Sequence, residues 1–174
     1  EYLKNLAIDD NSTVCDEKFI RLNADKDNSK SIVIFGAQGG AKMCIDAISN
    51  ESSTYNIVGL LDDNLSIGDN VLGLPIIGNF EAAAELIKIG IKSFVLAFGV
   101  IDDRKYRYEL FLKLKRIGGV FPNIIHPKAI IEKSVILGEG NVILAGANIG
   151  SCSMLGDLNY VNNNSLISHD CTLS

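Results

Sequence analysis

The sequence predicts an α/β chain in two parts, a small Rossmann-like domain with a parallel sheet followed by a parallel β-helix. Over residues 31–122 short, wholly apolar runs alternate with helical stretches, which indicates βαβ units around a mostly parallel sheet. Over residues 123–174 aliphatic residues recur at every sixth position, a period that suits neither an α-helix nor an alternating strand. Ahead of both, residues 1–30 are polar and end in Asp25-Lys26-Asp27-Asn28-Ser29-Lys30. This stretch reads as a leader or linker that buries little, although Phe19-Ile20-Arg21-Leu22 alternates as a short strand would. With 174 residues, 47% of them hydrophobic, the chain can bury a sizeable core.

The first strand is Ile32-Val33-Ile34-Phe35, apolar throughout as expected of a strand covered on both faces, and stopped by Gly36. A helix over 41–48 follows, with Met43, Cys44, Ala47 and Ile48 on one side. Ile57-Val58-Gly59-Leu60-Leu61 is the second strand, closed by Asp62-Asp63-Asn64. Gly73 to Gly78 reads as a turn and short strand. A helix over 80–89, a strand over 93–98 and an amphipathic helix over 102–117 complete the first part.

From Asn123 onward the repeat runs Ile125, Ile131, Leu137, Ile143, Ile149, Leu155, Val161, Ile167 and Leu173 without a miss. Two positions before each of the last eight stand small or modest residues, namely Ala129, Val135, Asn141, Ala147, Ser153, Asn159, Ser165 and Cys171. One position after come mainly Gly, Asn or Ser. A hexad of this kind forms one flat face of a β-helix, its aliphatic residue stacked inward on the next coil. The following Gly, Asn and Ser are then expected at corners, where the backbone needs positive φ or close approach.

Charge and cysteine usage exclude several function classes. Sixteen Lys+Arg against 21 Asp+Glu leave a net charge of −5, and no basic face for nucleic acid is visible. No apolar run is long enough for a membrane span, and Glu1-Tyr2-Leu3-Lys4 opens no signal peptide. Cys15, Cys44, Cys152 and Cys171 form no Cys-x-x-Cys pair, and two His cannot supply a three-His zinc site. A reduced, cytoplasmic, metal-free protein is expected.

The loop Gly36-Ala37-Gln38-Gly39-Gly40 follows a strand and opens a helix, so its amides suit a phosphate. Its spacing is not Gly-x-Gly-x-x-Gly, which disfavours a dinucleotide and with it an NAD-dependent oxidoreductase. Asp62 and Asp63 end a strand where an acid could meet a ribose or base, or simply close a turn. Arg104 is placed to pair with a phosphate or to sit solvated at a helix start. His126 beside Pro127 reads as structural, and Cys171 as core packing rather than a nucleophile.

The segments Ile32 to Ala41, Leu61-Asp62-Asp63, Asn123-Ile124-Ile125-His126-Pro127 and Ser168-His169-Asp170-Cys171 resemble, in order and spacing, the PglD/NeuD-like family of sugar acetyltransferases. The resemblance covers 31–174. It implies a Rossmann-like domain that holds a nucleotide sugar, and a left-handed β-helix that trimerises and binds acetyl-CoA between subunits. His169 and Asp170 fall on the family's His–acid pair. Gly36, Gln38, Gly39, Gly40, Asp62, Asp63, Gly99 and Arg104 fall on or near its nucleotide-sugar site. Gly40 stands where many members carry His, and Val100 where they carry Asn. Members continue for several more coils, which supply most acetyl-CoA contacts, so the coil count predicts an incomplete β-helix here.

The implied activity is acetyl transfer from acetyl-CoA to the amine of a UDP-linked 4-amino-4,6-dideoxy sugar, with His169 as general base and Asp170 fixing its tautomer. O-acetylation of sialic acid or a relative is the alternative within the family. A non-catalytic nucleotide-sugar-binding module is the alternative of another class.

Overall fold

The computed structural model describes residues 28–49, 54–98 and 104–174. The predicted leader up to residue 27, the alternating stretch at Phe19, Cys15, Gly99, Val100 and the start of the last helix lie outside the described residues. After a single 3-10 turn at Asn28–Lys30 the chain forms β1 (Ser31–Phe35), α1 (Gly39–Ile48) and β2 (Asn56–Leu61). It continues through β3 (Asn70–Val71), β4 (Leu74–Gly78), α2 (Ala83–Lys88), β5 (Ser93–Leu96) and α3 (Arg104–Arg116). The sheet runs β3-β4-β2-β1-β5. All its pairings are parallel except that between β3 and β4, an antiparallel pair in place of the single strand expected around Gly73.

β1 is buried at all five positions because both faces are covered. Ile32 and Ile34 pack with Ala41, Cys44, Ile45 and Ile48 of α1 on one face. Val33 and Phe35 pack with Leu86 of α2 and with Leu110, Phe111 and Leu114 of α3 on the other. Burying each such side chain is worth about 1.5–3 kcal/mol, so two-sided burial makes β1 the anchor of the domain. The predicted helix over 80–89 divides into a 3-10 turn at Phe80–Ala82 and the short α2. The Asn79 side chain accepts from the amides of Glu81 and Ala82 and starts that turn.

The second half is a left-handed parallel β-helix of two-residue strands. These are β6 (Ile124–Ile125), β7 (Ile130–Ile131), β8 (Ile136–Leu137), β9 (Val142–Ile143), β10 (Asn148–Ile149), β11 (Met154–Leu155), β12 (Tyr160–Val161), β13 (Leu166–Ile167) and β14 (Thr172–Leu173). They form three parallel sheets, β6-β9-β12, β7-β10-β13 and β8-β11-β14. Each hexad residue pairs with the one three hexads on, for example Ile131 with Ile149 and Ile149 with Ile167. Ile143, Ile149, Leu155 and Val161 are buried on the coil axis, with Ile131, Leu137, Ile167 and Leu173 packed against them. Ile125, the first of the series, is instead 42% exposed, since no coil precedes it among the described residues. Asparagines 18 residues apart tie the coils, the Asn141 amide bonding the Asn123 side chain and the Asn159 amide that of Asn141.

The corners differ from the expectation. From Leu137 to Ile167, positive φ falls three residues after each aliphatic, not one, at Gly140, Gly146, Cys152, Leu158, Asn164 and Asp170. Gly138 and Gly150 serve the other need, close approach. A Cβ on Gly138 would meet the Asp157 carboxylate, and one on Gly150 would lie 2.7 Å from the His169 amide nitrogen.

The β6-β9-β12 face closes against the first domain. Ile124, Val142, Leu144 and Tyr160 join the α1 side of the core, while Leu158 joins the α3 side.

Candidate functional site

Chemistry-bearing residues gather in two places. The first is the end of the sheet where β1, β2 and β5 finish. The chain leaves β1 for β2 on one side, while β5 lies on the other, the arrangement in which open parallel sheets form a ligand crevice. Gly36 turns the chain there with φ +92, its amide donating to the Leu61 carbonyl at 2.7 Å. The turn leads into α1, which begins at Gly39. Its cap residue Gln38 makes no side-chain capping bond, so the positive end of the helix is not satisfied by its own cap. Gly40 lets this first turn lie close to β5, since a Cβ there would stand 2.5 Å from the Ala97 carbonyl oxygen. A histidine at this position would therefore require the helix or β5 to shift.

Each of the two acids at the end of β2 has one oxygen engaged by a backbone amide. Asp62 is 5% exposed and its Oδ1 accepts from the Asn64 amide at 2.9 Å. Asp63 Oδ1 accepts from the Phe80 amide at 2.8 Å. Arg104 opens α3 at the same end of the sheet, and its side chain is exposed.

The second place is the corner between β13 and β14. Asp170 adopts φ 57, a left-handed conformation that Asp tolerates better than most residues, and its amide bonds the Ser151 carbonyl at 2.9 Å. That corner turns the Asp170 carboxylate onto its neighbour, with Oδ2 lying 2.6 Å from His169 Nδ1. Both side chains are largely exposed, at 76% and 71%. In the neutral imidazole whose Nδ1–H donates to this carboxylate, Nε2 is the acceptor nitrogen. Cys171 sends its thiol to the His169 carbonyl at 3.7 Å and is half-buried rather than fully enclosed. His126 is structural, its Nδ1 accepting from the Lys128 amide at 3.1 Å. Among the described residues no group of three or more His, Cys, Asp or Glu is arranged to hold a metal. No helix among them is long and apolar enough to cross a membrane.

Residues 31–111 match the PglD N-terminal domain family. The GDP-perosamine N-acetyltransferase of Caulobacter crescentus, as a histidine-to-alanine variant in complex with CoA and GDP-perosamine, superposes with a TM-score of 0.73 and 31% identity. The chain thus carries a PglD N-terminal domain over residues 31–111 and is similar in sequence and fold to a sugar N-acetyltransferase. The Caulobacter match covers 82% of this chain and 64% of that protein, so the chain spans less than two thirds of its relative's length. The acetyltransferase domain of PglB from Neisseria gonorrhoeae FA1090, in complex with acetyl coenzyme A, matches at TM-score 0.73 and 28% identity, over 82% of this chain and 66% of that one. WeeI from Acinetobacter baumannii AYE, at 23% identity and TM-score 0.63 over 82% of this chain and 65% of its own, shares the fold. A comparison with curated proteins gives no match.

The predicted residues fall into two separated sets. Gly36, Gln38, Gly39, Gly40, Asp62, Asp63 and Arg104 share one end of the sheet, whereas His169 and Asp170 stand on a coil corner. No hydrogen bond or ion pair recorded for His169 or Asp170 reaches the first set. Sequence reasoning missed the residues that join the halves. The Tyr160 hydroxyl donates to the Gly40 carbonyl at 3.2 Å, carrying the β-helix onto the glycine loop. Burial pushes the Cys44 thiol up to about 12, partly offset by its hydrogen bond with Tyr160, and burial likewise raises the Tyr160 phenol. Arg107 was missed too, although its signal was legible. In α3 the buried positions are Arg107, Leu110, Phe111 and Leu114, so an arginine occupies the i, i+3, i+4, i+7 apolar stripe.

Proposed function

We propose that the chain carries the acceptor-binding domain and the general base of an acetyl-CoA-dependent sugar N-acetyltransferase. The observation that carries this is the 2.6 Å His169–Asp170 pair on a β-helix corner, in a chain whose similar structures are a GDP-perosamine N-acetyltransferase with CoA and a PglB acetyltransferase domain with acetyl coenzyme A. The amine of a nucleotide-linked amino sugar attacks the thioester carbonyl. His169 Nε2 takes the amine proton as the C–N bond forms and gives it to the sulfur as the C–S bond breaks, so that CoA leaves as its thiol. Positioned proton transfer of this kind contributes about 10²–10⁴-fold. Asp170 holds the tautomer and stabilises the imidazolium that forms.

The crevice at the ends of β1 and β2 and the uncapped N-terminus of α1 support the nucleotide-sugar site. Gly36, Gln38, Gly39 and Gly40 provide its floor, and Arg104 stands on the α3 side. A UDP-linked 4-amino-4,6-dideoxy sugar is the acceptor expected of the family resemblance, and GDP-perosamine is the ligand of the Caulobacter relative, so the titration includes both nucleotides. A homotrimer fits the separation of the two sets, because another copy could bring its crevice to an exposed His169. The outward Ile130, Ile136, Met154 and Leu166 offer apolar surface for it.

The test is calorimetric titration of wild type and His169→Ala with the UDP- and GDP-linked amino sugars, followed by acetyl-CoA, with CoA release as the readout of transfer. His169→Ala is expected to abolish transfer and leave nucleotide-sugar affinity unchanged. Undiminished turnover in the variant would remove His169 from the mechanism. Nucleotide-sugar binding with no transfer by wild type would favour the non-catalytic binding module. Sedimentation that shows a monomer at micromolar concentration would count against the trimer.

A further inference from the structure

Beyond the crevice, a cavity of about 500 Å³ opens between the first turns of α3 and the coil segment 156–160. Arg104, Arg107, Tyr108, Asp157 and Tyr160 are among its lining residues. Arg107 is the unusual one. It is only 7% exposed, its Nη2 donates to the Leu158 carbonyl at 3.0 Å, and its Nε is enclosed without any partner.

Among the described residues neither Arg107 nor Arg104 lies in an ion pair. Asp157, the carboxylate of the cavity wall, already accepts from the Glu139 amide through Oδ1. Burial draws the Arg107 guanidinium below its ordinary range, and the charge of Arg104 adds to this. A buried cation without a counter-charge costs several kcal/mol unless an anion completes it. A guanidinium fork beside a second arginine matches the oxygens of a phosphate.

We propose that this cavity is a binding site for a phosphate ester or diphosphate, with Arg107 and Arg104 as its charged contacts. Nothing in the nucleotide-sugar reading assigns Arg107, and the cavity reaches that reading's glycine loop through Tyr160, whose hydroxyl bonds Gly40. Two sources share this chemistry: the phosphates of a nucleotide and those of the phosphoadenosine end of CoA.

Calorimetry at low ionic strength separates them, using UDP, GDP, adenosine 3′,5′-bisphosphate and inorganic pyrophosphate as probes and uridine as the phosphate-free control. Wild type is expected to bind at least one phosphate probe and not uridine. Arg107→Met is expected to weaken that binding at least about tenfold. Its melting temperature is expected to hold or rise, because an unpaired buried charge is replaced by an apolar side chain. An Arg107 that merely ties α3 to Leu158 would give the reverse, a lower melting temperature with unchanged affinity, and that result overturns the proposal.

Arg104→Gln, at an exposed position that leaves the fold intact, is expected to weaken the same probe, and unchanged affinity there also overturns it. So does failure of wild type to bind any phosphate probe. If bisphosphate or pyrophosphate binds through Arg107 while UDP and GDP do not bind at all, the anion site stands and the nucleotide-sugar reading falls. If UDP or GDP binds wild type and Arg107→Met equally, that reading survives and the site does not.

Discussion

Gly150→Ala tests whether the corner that carries His169 is held by coil-to-coil contact. The added Cβ would lie 2.7 Å from the His169 nitrogen, 2.8 Å from the Ser168 carbonyl carbon and 3.2 Å from the His169 Cα. Non-bonded heavy atoms rest at about 3.5–4.0 Å, so the coils must part by the better part of an ångström. The obstacle is backbone and cannot rotate away. Parting the coils also stretches the bonds from the Gly150 amide to the Ile167 carbonyl, 2.8 Å, and from the Asp170 amide to the Ser151 carbonyl, 2.9 Å. Overpacking of this kind costs about 1–3 kcal/mol, which for a domain of this size lowers the melting temperature by roughly 2–12 °C. Gly39→Ala is the control, because its Cβ meets nothing within 4 Å and it opens a helix. There alanine is neutral or adds up to about 1 kcal/mol. Thermal melts by circular dichroism, with hydrogen exchange read at the Asp170 amide, give the comparison. A Gly150→Ala protein that melts with wild type, or a Gly39→Ala protein that falls as far, would refute the steric reasoning.

Three further outcomes are expected. Tyr160→Phe removes the hydroxyl that bonds the Gly40 carbonyl, so the urea midpoint should fall by the equivalent of about 0.5–1.5 kcal/mol with the slope unchanged; an unchanged midpoint would show that this bond does not hold the halves together. Alkylation of the native protein at pH 8, mapped by mass spectrometry, should modify exposed Cys152 fastest and spare Cys44, whose thiol is buried and pushed up to about 12. The folded state keeps the Cys44 proton after the unfolded chain has released it, so stability should decline as pH rises from about 9 toward 12. Rapid labelling of Cys44, or an alkaline decline as steep in Cys44→Ala as in wild type, would contradict its burial.

The order of elements and the β-helix could be read in advance because both rest on local periodicity. Ile32 to Phe35 is apolar at every position because both of its faces are covered, and the hexad series repeats because every coil presents the same inward position. Corner chemistry was less legible. Positive φ falls on Cys152 and Leu158, residue types that announce no left-handed turn, because stacking between coils imposes it on whichever side chain stands there. The Asp62-Asp63 pair illustrates a different limit. Its composition suits both a ribose contact and a turn, and only the amides of Asn64 and Phe80, the second 17 residues away, show where one oxygen of each acid is engaged.

The two-part architecture, the inward residue of each hexad and the adjacency of His169 and Asp170 are each encoded within a few residues along the chain. Tertiary structure decided what depends on atoms far apart in sequence. It laid Tyr160 on Gly40 across 120 residues and Arg107 on Leu158 across 51. It also fixed the 2.6 Å geometry of the His–Asp pair, by pinning the Asp170 amide to Ser151 in the coil below. Such pairings carry no local period, because their partners are chosen by how the β-helix face packs on the sheet domain.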